Sequence, residues 1–277
     1  MNGDLNKIIR LVDSIYGMDI SVYDESFIKK NLDKRVLATA CTNYADYYRY
    51  LVDHSNECDI LHSAISIGYS DFFRNRLAFA LLETVILPRL LMEKGNSGRA
   101  ELRIWSAGCA AGQEAYSIAM LLDAQINNSK EQNIYRIFAT DSSVNDLNIA
   151  RAGIYDLNML QNVRMKEFHT YFTREGESYK IIPRIRNRID FSEYDLLEEK
   201  SICPPACIFG DFDLLFCCNL LLYYRQNVRQ FILEKVWQSL APNGFFIVGE
   251  TEKGCVEKSG LFRAFVSPAS IFRKIIR

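Results

Sequence analysis

Hydrophobic residues along this chain recur in two different rhythms. Up to about residue 95 they fall at helical spacing, as in Leu5, Ile8, Ile9 and Val12 and again in Phe27, Ile28, Leu32, Val36 and Leu37. No strand-loop-helix alternation interrupts them, so residues 1–95 are expected to form a small helical N-terminal domain, with a last helix from Leu77 to Met92 bent at Pro88 and a linker at 93–98. From residue 99 the pattern changes. Short continuous apolar runs alternate with amphipathic ones: Arg103–Ala107, then Tyr116–Leu122, Ile134–Thr140, Val144–Ala152, Asp213–Cys217, Gln226–Leu240 and Phe245–Gly249. Continuous apolar runs suit central parallel strands covered on both faces, and the alternation with helices suits a doubly wound α/β sheet. Two β-prone runs around Phe265 and Ile271-Phe272 suggest an antiparallel edge.

Residues 163–191 break this rhythm. Glu175-Gly176-Glu177 is a turn candidate, and Arg184, Arg186 and Arg188 alternate with Ile185 and Ile189 as they would on a strand. The segment is expected to be an inserted antiparallel hairpin. From Val163 to Arg188 it holds seven basic and three acidic residues, a local excess suited to docking.

Composition narrows the class without naming an activity. With 277 residues, 49% hydrophobic and 24% charged, the chain can bury one large core or two smaller ones. A net charge of -1 gives no bulk attraction to nucleic acid or to an anionic membrane. No apolar run is long enough to span a bilayer and the N-terminus lacks a signal-peptide core, so a cytoplasmic protein is expected. Eight cysteines in a chain of this length fit reduced thiols, and Cys203, Cys207, Cys217 and Cys218 match no standard zinc spacing, so no metal is expected. Lys29, Lys30, Lys34 and Arg35 are spaced to share a helix face, either as a basic stripe or as an ordinary solvated face.

The candidate chemistry centres on RIWSAGCAAGQEAYSIAMLL, residues 103–122. Gly108 and Gly112 flank Cys-Ala-Ala, leaving a loop whose backbone a ligand can approach closely at the carboxyl end of the first strand. Glu114 stands where a dinucleotide would lay its pyrophosphate, and both the dinucleotide and the P-loop fingerprints are missing. A carboxylate there suits a cationic, phosphate-free ligand such as S-adenosylmethionine; a helix-capping acid in a glycine turn is the plainer alternative. Asp141, closing the second strand, either takes the ribose hydroxyls of an adenosine or N-caps the helix after it. In SDFFR, residues 70–74, buried phenylalanines would hold Arg74 ready for an anion.

SAGCAAGQEAYSIAMLL, IFATDSSVNDLNIARAGIY, LLFCCNLLLYY and LAPNGFFIVGETE, preceded by SDFFR, together resemble the CheR-type chemotaxis receptor methyltransferases along nearly the whole chain. The resemblance implies a class I methyltransferase fold at 99–277, S-adenosylmethionine as donor with S-adenosylhomocysteine as product, and methyl transfer to glutamate carboxylates of an acidic helical protein, a chemoreceptor cytoplasmic domain. Position by position it places the family's motif residues on Ser70 and Arg74, on the glycine loop at Gly108 with Glu114, on Asp141, on Asp195, and on Asn219 and Tyr223. Arg74 and Tyr223 are the expected catalytic residues; Ser70, Arg74, Gly108, Glu114, Asp141, Asp195 and Asn219 are the expected donor-binding ones. Gly68, Gln113 and Cys218 depart from the family pattern, which leaves a catalytically weak or silent donor-binding signalling protein as the alternative. A nucleic-acid methyltransferase is disfavoured, because Asn219-Leu220-Leu221-Leu222-Tyr223 stands where base methylation uses a proline pair.

Overall fold

A computed structural model describes residues 3–65, 68–97, 101–127, 134–207 and 210–276. The chain divides into two compact units, one formed by Met1–Ile67 with Leu222–Arg229, the other by Gly68–Leu221 with Gln230–Arg277.

The first unit is helical: α1 (Gly3–Tyr16), α2 (Glu25–Ala38), α3 (Tyr44–Asp53) and α4 (Ser55–Ile65). Asp24 and Asn43 start α2 and α3 by accepting hydrogen bonds from the Ser26 and Asp46 amides, which satisfies donors a helix start leaves free. Leu5, Ile8, Ile9 and Val12 are buried as their spacing predicts, whereas Leu37 is exposed. Of the four basic residues spaced to share a face of α2, one does not stay with the others. Lys29, Lys30 and Lys34 face solvent, but Arg35 turns inward to grip Glu57 with two bonds of 2.8 and 2.7 Å, and Tyr47 donates to the same carboxylate at 2.8 Å. Burial would raise the Glu57 carboxyl, but the bonds from Arg35 and Tyr47 outweigh it and hold the carboxyl below its usual range.

The second unit carries ten strands: β1 (Glu101–Ala107), β2 (Ile134–Asp141), β3 (Ile154–Asp156), β4 (Phe172–Glu175), β5 (Ser178–Ile181), β6 (Ile189–Glu193), β7 (Phe212–Cys217), β8 (Leu240–Val248), β9 (Phe262–Val266) and β10 (Ile271–Lys274). Seven of them form one sheet in the order β6-β2-β1-β7-β8-β10-β9, all running the same way except β10, which is antiparallel to both its neighbours. The chain leaves β1 toward β2 on one side and returns to β7 on the other. This is the topological switch point where open α/β sheets bind ligands. All six β7 residues are buried, as a strand covered on both faces requires. The sheet is flanked by α5 (Arg76–Leu81), α6 (Leu87–Ser97), α7 (Gln113–Asn127), α8 (Val144–Ala152), α9 (Met165–Tyr171), α10 (Pro183–Arg186), α11 (Gln226–Ser239) and α12 (Lys253–Lys258).

Three expectations about segmentation need correction. The boundary between the units falls at Ile67/Gly68, not near residue 95; α5 and α6 pack their apolar residues Phe79, Leu82, Ile86, Leu87, Leu90 and Leu91 into the sheet unit's core, and helical periodicity cannot say which core a helix joins. Nor is there a linker over 93–97, because α6 continues through Ser97; Gly98 lies outside the described residues. The bend at Pro88 takes the form of a π-helical turn, Leu82–Ile86. Proline lacks the N–H that Thr84 O would accept and crowds that carbonyl, and one wide turn relieves both.

The inserted subdomain also differs from expectation. It is a separate three-stranded antiparallel sheet, β3-β5-β4, built around the hairpin β4–β5 that turns at Gly176. It therefore begins at Ile154 and does not include residues 184–191 as a strand. Pro183 opens α10, and β6 joins the main sheet beside β2. Proline's preset φ favours a helix start, and an alternation this short does not separate a strand from a helical turn. The three arginines part accordingly: Arg184 pairs with Asp123 at 2.8 Å, Arg186 donates to Ala152 O at 3.4 Å, and Arg188 lies over the Tyr135 ring at 5.6 Å.

Candidate functional site

The site grows from the end of β1. Gly108 and Gly112 hold φ values of +73° and +89°, and Ala110 one of +46°. A Cβ on Gly112 would come within 2.9 Å of Ala150 Cβ, so this turn admits only glycine. Gly108 and Cys109 donate their amides to Thr140 O at 2.8 and 2.9 Å, tying the loop to β2. Asp141 completes the tie, accepting from Ala110 N and Ser143 N at 2.9 Å each. Ser143, not Asp141, caps α8. Burial raises the Asp141 carboxyl, against these amide bonds.

Glu114 lies in the first turn of α7 and accepts from Ser106 Oγ at 2.7 Å. It lines a cleft together with Tyr69, Ser70, Arg74, Gly108, Cys218 and Asn219. Phe79, Phe216 and Ile247 supply apolar wall. The enclosed part of the cleft is about 30 Å³. That holds a group about the size of a water molecule, so the body of any larger ligand lies in the open mouth. Burial pushes the Glu114 carboxyl up to about 7, with Glu252 adding like-charge repulsion and Ser106, Cys218 and Arg74 opposing it.

The SDFFR turn lines the same cleft through Ser70, Asp71 and Arg74. Phe72 and Phe73 are buried and Arg74 is exposed, as expected. The geometry was not foreseen. Phe73 takes a left-handed φ of +49°, with its amide bonded to Ser117 Oγ at 3.0 Å. A bulky residue in that region is a strained outlier held by its surroundings. The strain turns Arg74 out: it donates to Tyr69 O at 3.1 Å and lies over the Tyr69 ring at 5.1 Å, and no described carboxylate pairs with it.

Asn219, at the end of β7, is left-handed too, with φ +59°. It is held by Glu252 of the GETE run, a partner too far along the chain for a local pattern to announce. One oxygen of Glu252 accepts from both Asn219 N and Gly249 N at 2.7 Å, joining the carboxyl ends of β7 and β8. With Glu252 only 1% exposed, Glu252→Ala leaves these amides without their acceptor and is expected to cost about 2–4 kcal/mol, read from urea unfolding midpoints.

Of the other expected residues, Asp141 does not line this cleft but ties its loop to the end of β2, and Asp195 does not line it either. Asp195 is exposed beyond β6, where it accepts from Leu197 N at 2.8 Å. Tyr223 belongs to the segment Leu222–Arg229 of the helical unit, its ring 4.8 Å from that of Phe27. Their spacing from the sheet strands carried no information about the paths of these loops. Among the departures, Gln113 is buried with Oε1 unpartnered, and Cys218 points its thiol at Ile247 O, 3.6 Å away. No described group of acidic, histidine and cysteine side chains could hold a metal ion, and no described helix is long and apolar enough to cross a membrane.

The Glu114 carboxyl fixes a pH dependence. Its folded pKa lies above the ordinary carboxyl value, so the folded chain keeps a proton there that the unfolded chain has lost, and this group subtracts stability as pH rises from that ordinary range to about 7. A cation in the cleft reverses the effect and releases the proton. Affinity for a cationic ligand is therefore expected to be flat above about pH 7 and to fall by nearly tenfold per unit below it, with proton release visible by calorimetry in buffers of different ionisation enthalpy.

Known proteins give this geometry a lineage. Residues 69–269 match the model of the CheR methyltransferase SAM binding domain, and residues 3–66 that of the CheR methyltransferase all-alpha domain. A chemotaxis protein methyltransferase of Listeria monocytogenes is 31% identical over 244 residues, covering 88% of this chain and 87% of its own. That of Escherichia coli is 27% identical, covering 89% and 82%, and chemotaxis protein methyltransferase 1 of Pseudomonas aeruginosa is 33% identical, covering 70% and 69%. A glycine-bounded loop at the switch point, a half-buried acid suited to a cation in place of a phosphate, and family models spanning both units agree: the chain belongs to the CheR family of S-adenosylmethionine-dependent methyltransferases.

Proposed function

We propose that this methyltransferase esterifies glutamate side-chain carboxylates on the helical cytoplasmic domain of a chemoreceptor. The observation that carries the reading is the pairing, in one cleft, of a floor acid that attracts a cation and an arginine free to receive a carboxylate. When bound, S-adenosylmethionine supplies an electrophilic methyl group on a positively charged sulfur. The residues present fit such a donor: Glu114 pays a desolvation cost that a cation relieves, and the Gly108 loop leaves backbone open to it.

The acceptor needs no general base, since a glutamate is already ionised near neutrality. Alignment and exclusion of water are what the protein must provide. Arg74, whose planar fork matches a carboxylate, orients the acceptor. Ser70, Gly108, Glu114 and Asn219 hold the donor from the cleft; Asp141, whose two amide bonds leave lone pairs on both oxygens, takes ribose hydroxyls beside it. Asp195 and Tyr223 act from their own loops, Asp195 on the donor and Tyr223 near the transferred methyl. The β3-β5-β4 subdomain, whose hairpin lies in the basic stretch 163–191, docks the receptor. The setting is cytoplasmic.

Incubation with radiolabelled S-adenosylmethionine and the host's chemoreceptors tests this. A base-labile label on receptor glutamates is the expected result. Donor binding without any labelled ester on these receptors overturns the proposal and favours the silent donor-binding protein that Gly68, Gln113 and Cys218 suggest.

A further inference from the structure

The sheet unit holds a second cavity, roomier than the donor cleft. About 430 Å³ of space lies between α5 with its π-helical continuation, α7, and the loop 161–164, a volume in the range of small-molecule sites. Phe73, Phe79, Ala80, Leu121 and Val163 give it apolar walls. Its charged groups are Arg76, Glu83 and Arg164. Arg164 is neutralised, bonded to Glu83 at 3.1 and 3.2 Å and to Glu167 at 2.6 Å. Arg76 is not: its one described partner is the neutral amide oxygen of Asn162, at 3.0 Å. The cavity thus presents an apolar chamber with a cation at its rim that pairs with no described carboxylate.

Two features tie the chamber to the donor cleft. Phe79 lines both, and its ring stands 5.3 Å from that of Phe73 and 6.0 Å from that of Phe216, which walls the cleft. Phe73, the strained residue immediately before Arg74, closes the chamber from the other side. The π-helical turn shapes its edge: Leu87 N bonds back to Leu82 O, and the Glu83 carbonyl released by that shift accepts from Gln125 Nε2 of α7 at 2.9 Å. Such turns recur at functional sites.

We propose that this chamber is a second small-molecule site, for an amphipathic anion with a flat apolar body against Phe73 and Phe79 and one anionic head on Arg76, and that filling it bears on the donor cleft through Phe79. The inference does not depend on glutamate being the acceptor, because its readout is binding to the isolated chain.

The probe is 8-anilinonaphthalene-1-sulfonate, an aromatic anion of suitable shape, titrated by fluorescence and calorimetry into the full-length protein with and without saturating S-adenosylhomocysteine. One saturable site is expected that persists with S-adenosylhomocysteine bound, while its affinity shifts. Arg76→Gln should weaken it about tenfold by removing the charged partner of the head group, and Ala80→Trp should abolish it by filling the chamber. Both variants should still bind S-adenosylhomocysteine, which shows that they are folded. The proposal is overturned if the probe binds Arg76→Gln and Ala80→Trp as it binds the wild type, if S-adenosylhomocysteine displaces it, if its affinity is indifferent to S-adenosylhomocysteine, or if no saturable site is found.

Discussion

Replacing Glu114 by glutamine is expected to lower the affinity for S-adenosylmethionine about a hundredfold, close to 3 kcal/mol, while leaving the protein folded. Glutamine keeps the volume and can still accept from Ser106 Oγ, whose bond to Glu114 is 2.7 Å. What it removes is the negative charge. Because burial raises the Glu114 carboxyl, with Glu252 adding to it, the free cleft holds an acid that is costly to ionise and that a cationic ligand stabilises in its charged form. The variant should therefore unfold with a flatter pH profile between the ordinary carboxyl range and about pH 7, as well as binding donor weakly. Calorimetry with the donor reads the first effect and thermal melts across pH the second. A Kd within a few-fold of wild type would remove Glu114 from the donor site.

The second large effect is on turnover. Arg74→Ala should reduce kcat about 10²–10³-fold on a receptor substrate, because positioning of the nucleophile is most of what this enzyme can contribute to transfer between two charged partners. Donor affinity should change by less than about tenfold, since Glu114 supplies the main charge on that side. Arg74→Lys restores the charge without the planar fork and should recover only part of the rate. Arg74 is exposed and its one described hydrogen bond is to Tyr69 O at 3.1 Å, so neither variant should unfold the protein. Single-turnover rates at saturating donor separate the effect from donor binding; a rate within a few-fold of wild type would reassign the arginine.

Much of the architecture can be read directly from the chain, because the physical signals are local. The run DLLFC reads as a central strand covered on both faces, and β7 is that strand. Gly112 announces a turn that excludes a side chain, and Ala150 lies where that side chain would go. Phe72 and Phe73 point to the core because two adjacent large apolar residues before a charged one leave little alternative. The cleft brings Ser70, Arg74, Gly108, Glu114 and Asn219 to one place from distant parts of the sequence.

The sequence by itself determined the alternation of strands and helices, the glycine loop, and an acid placed beside that loop, since periodicity, backbone freedom and charge act within a few residues. Only the tertiary structure decided which core α5 and α6 join, that Arg35 turns in to Glu57 instead of facing solvent with its neighbours, that Arg184–Arg188 is no strand, and that Glu252 ties Asn219 to Gly249. Each of these depends on a partner far away along the chain. A pattern of residues states what a segment needs to bury or to bond; which distant segment meets that need is settled by packing alone.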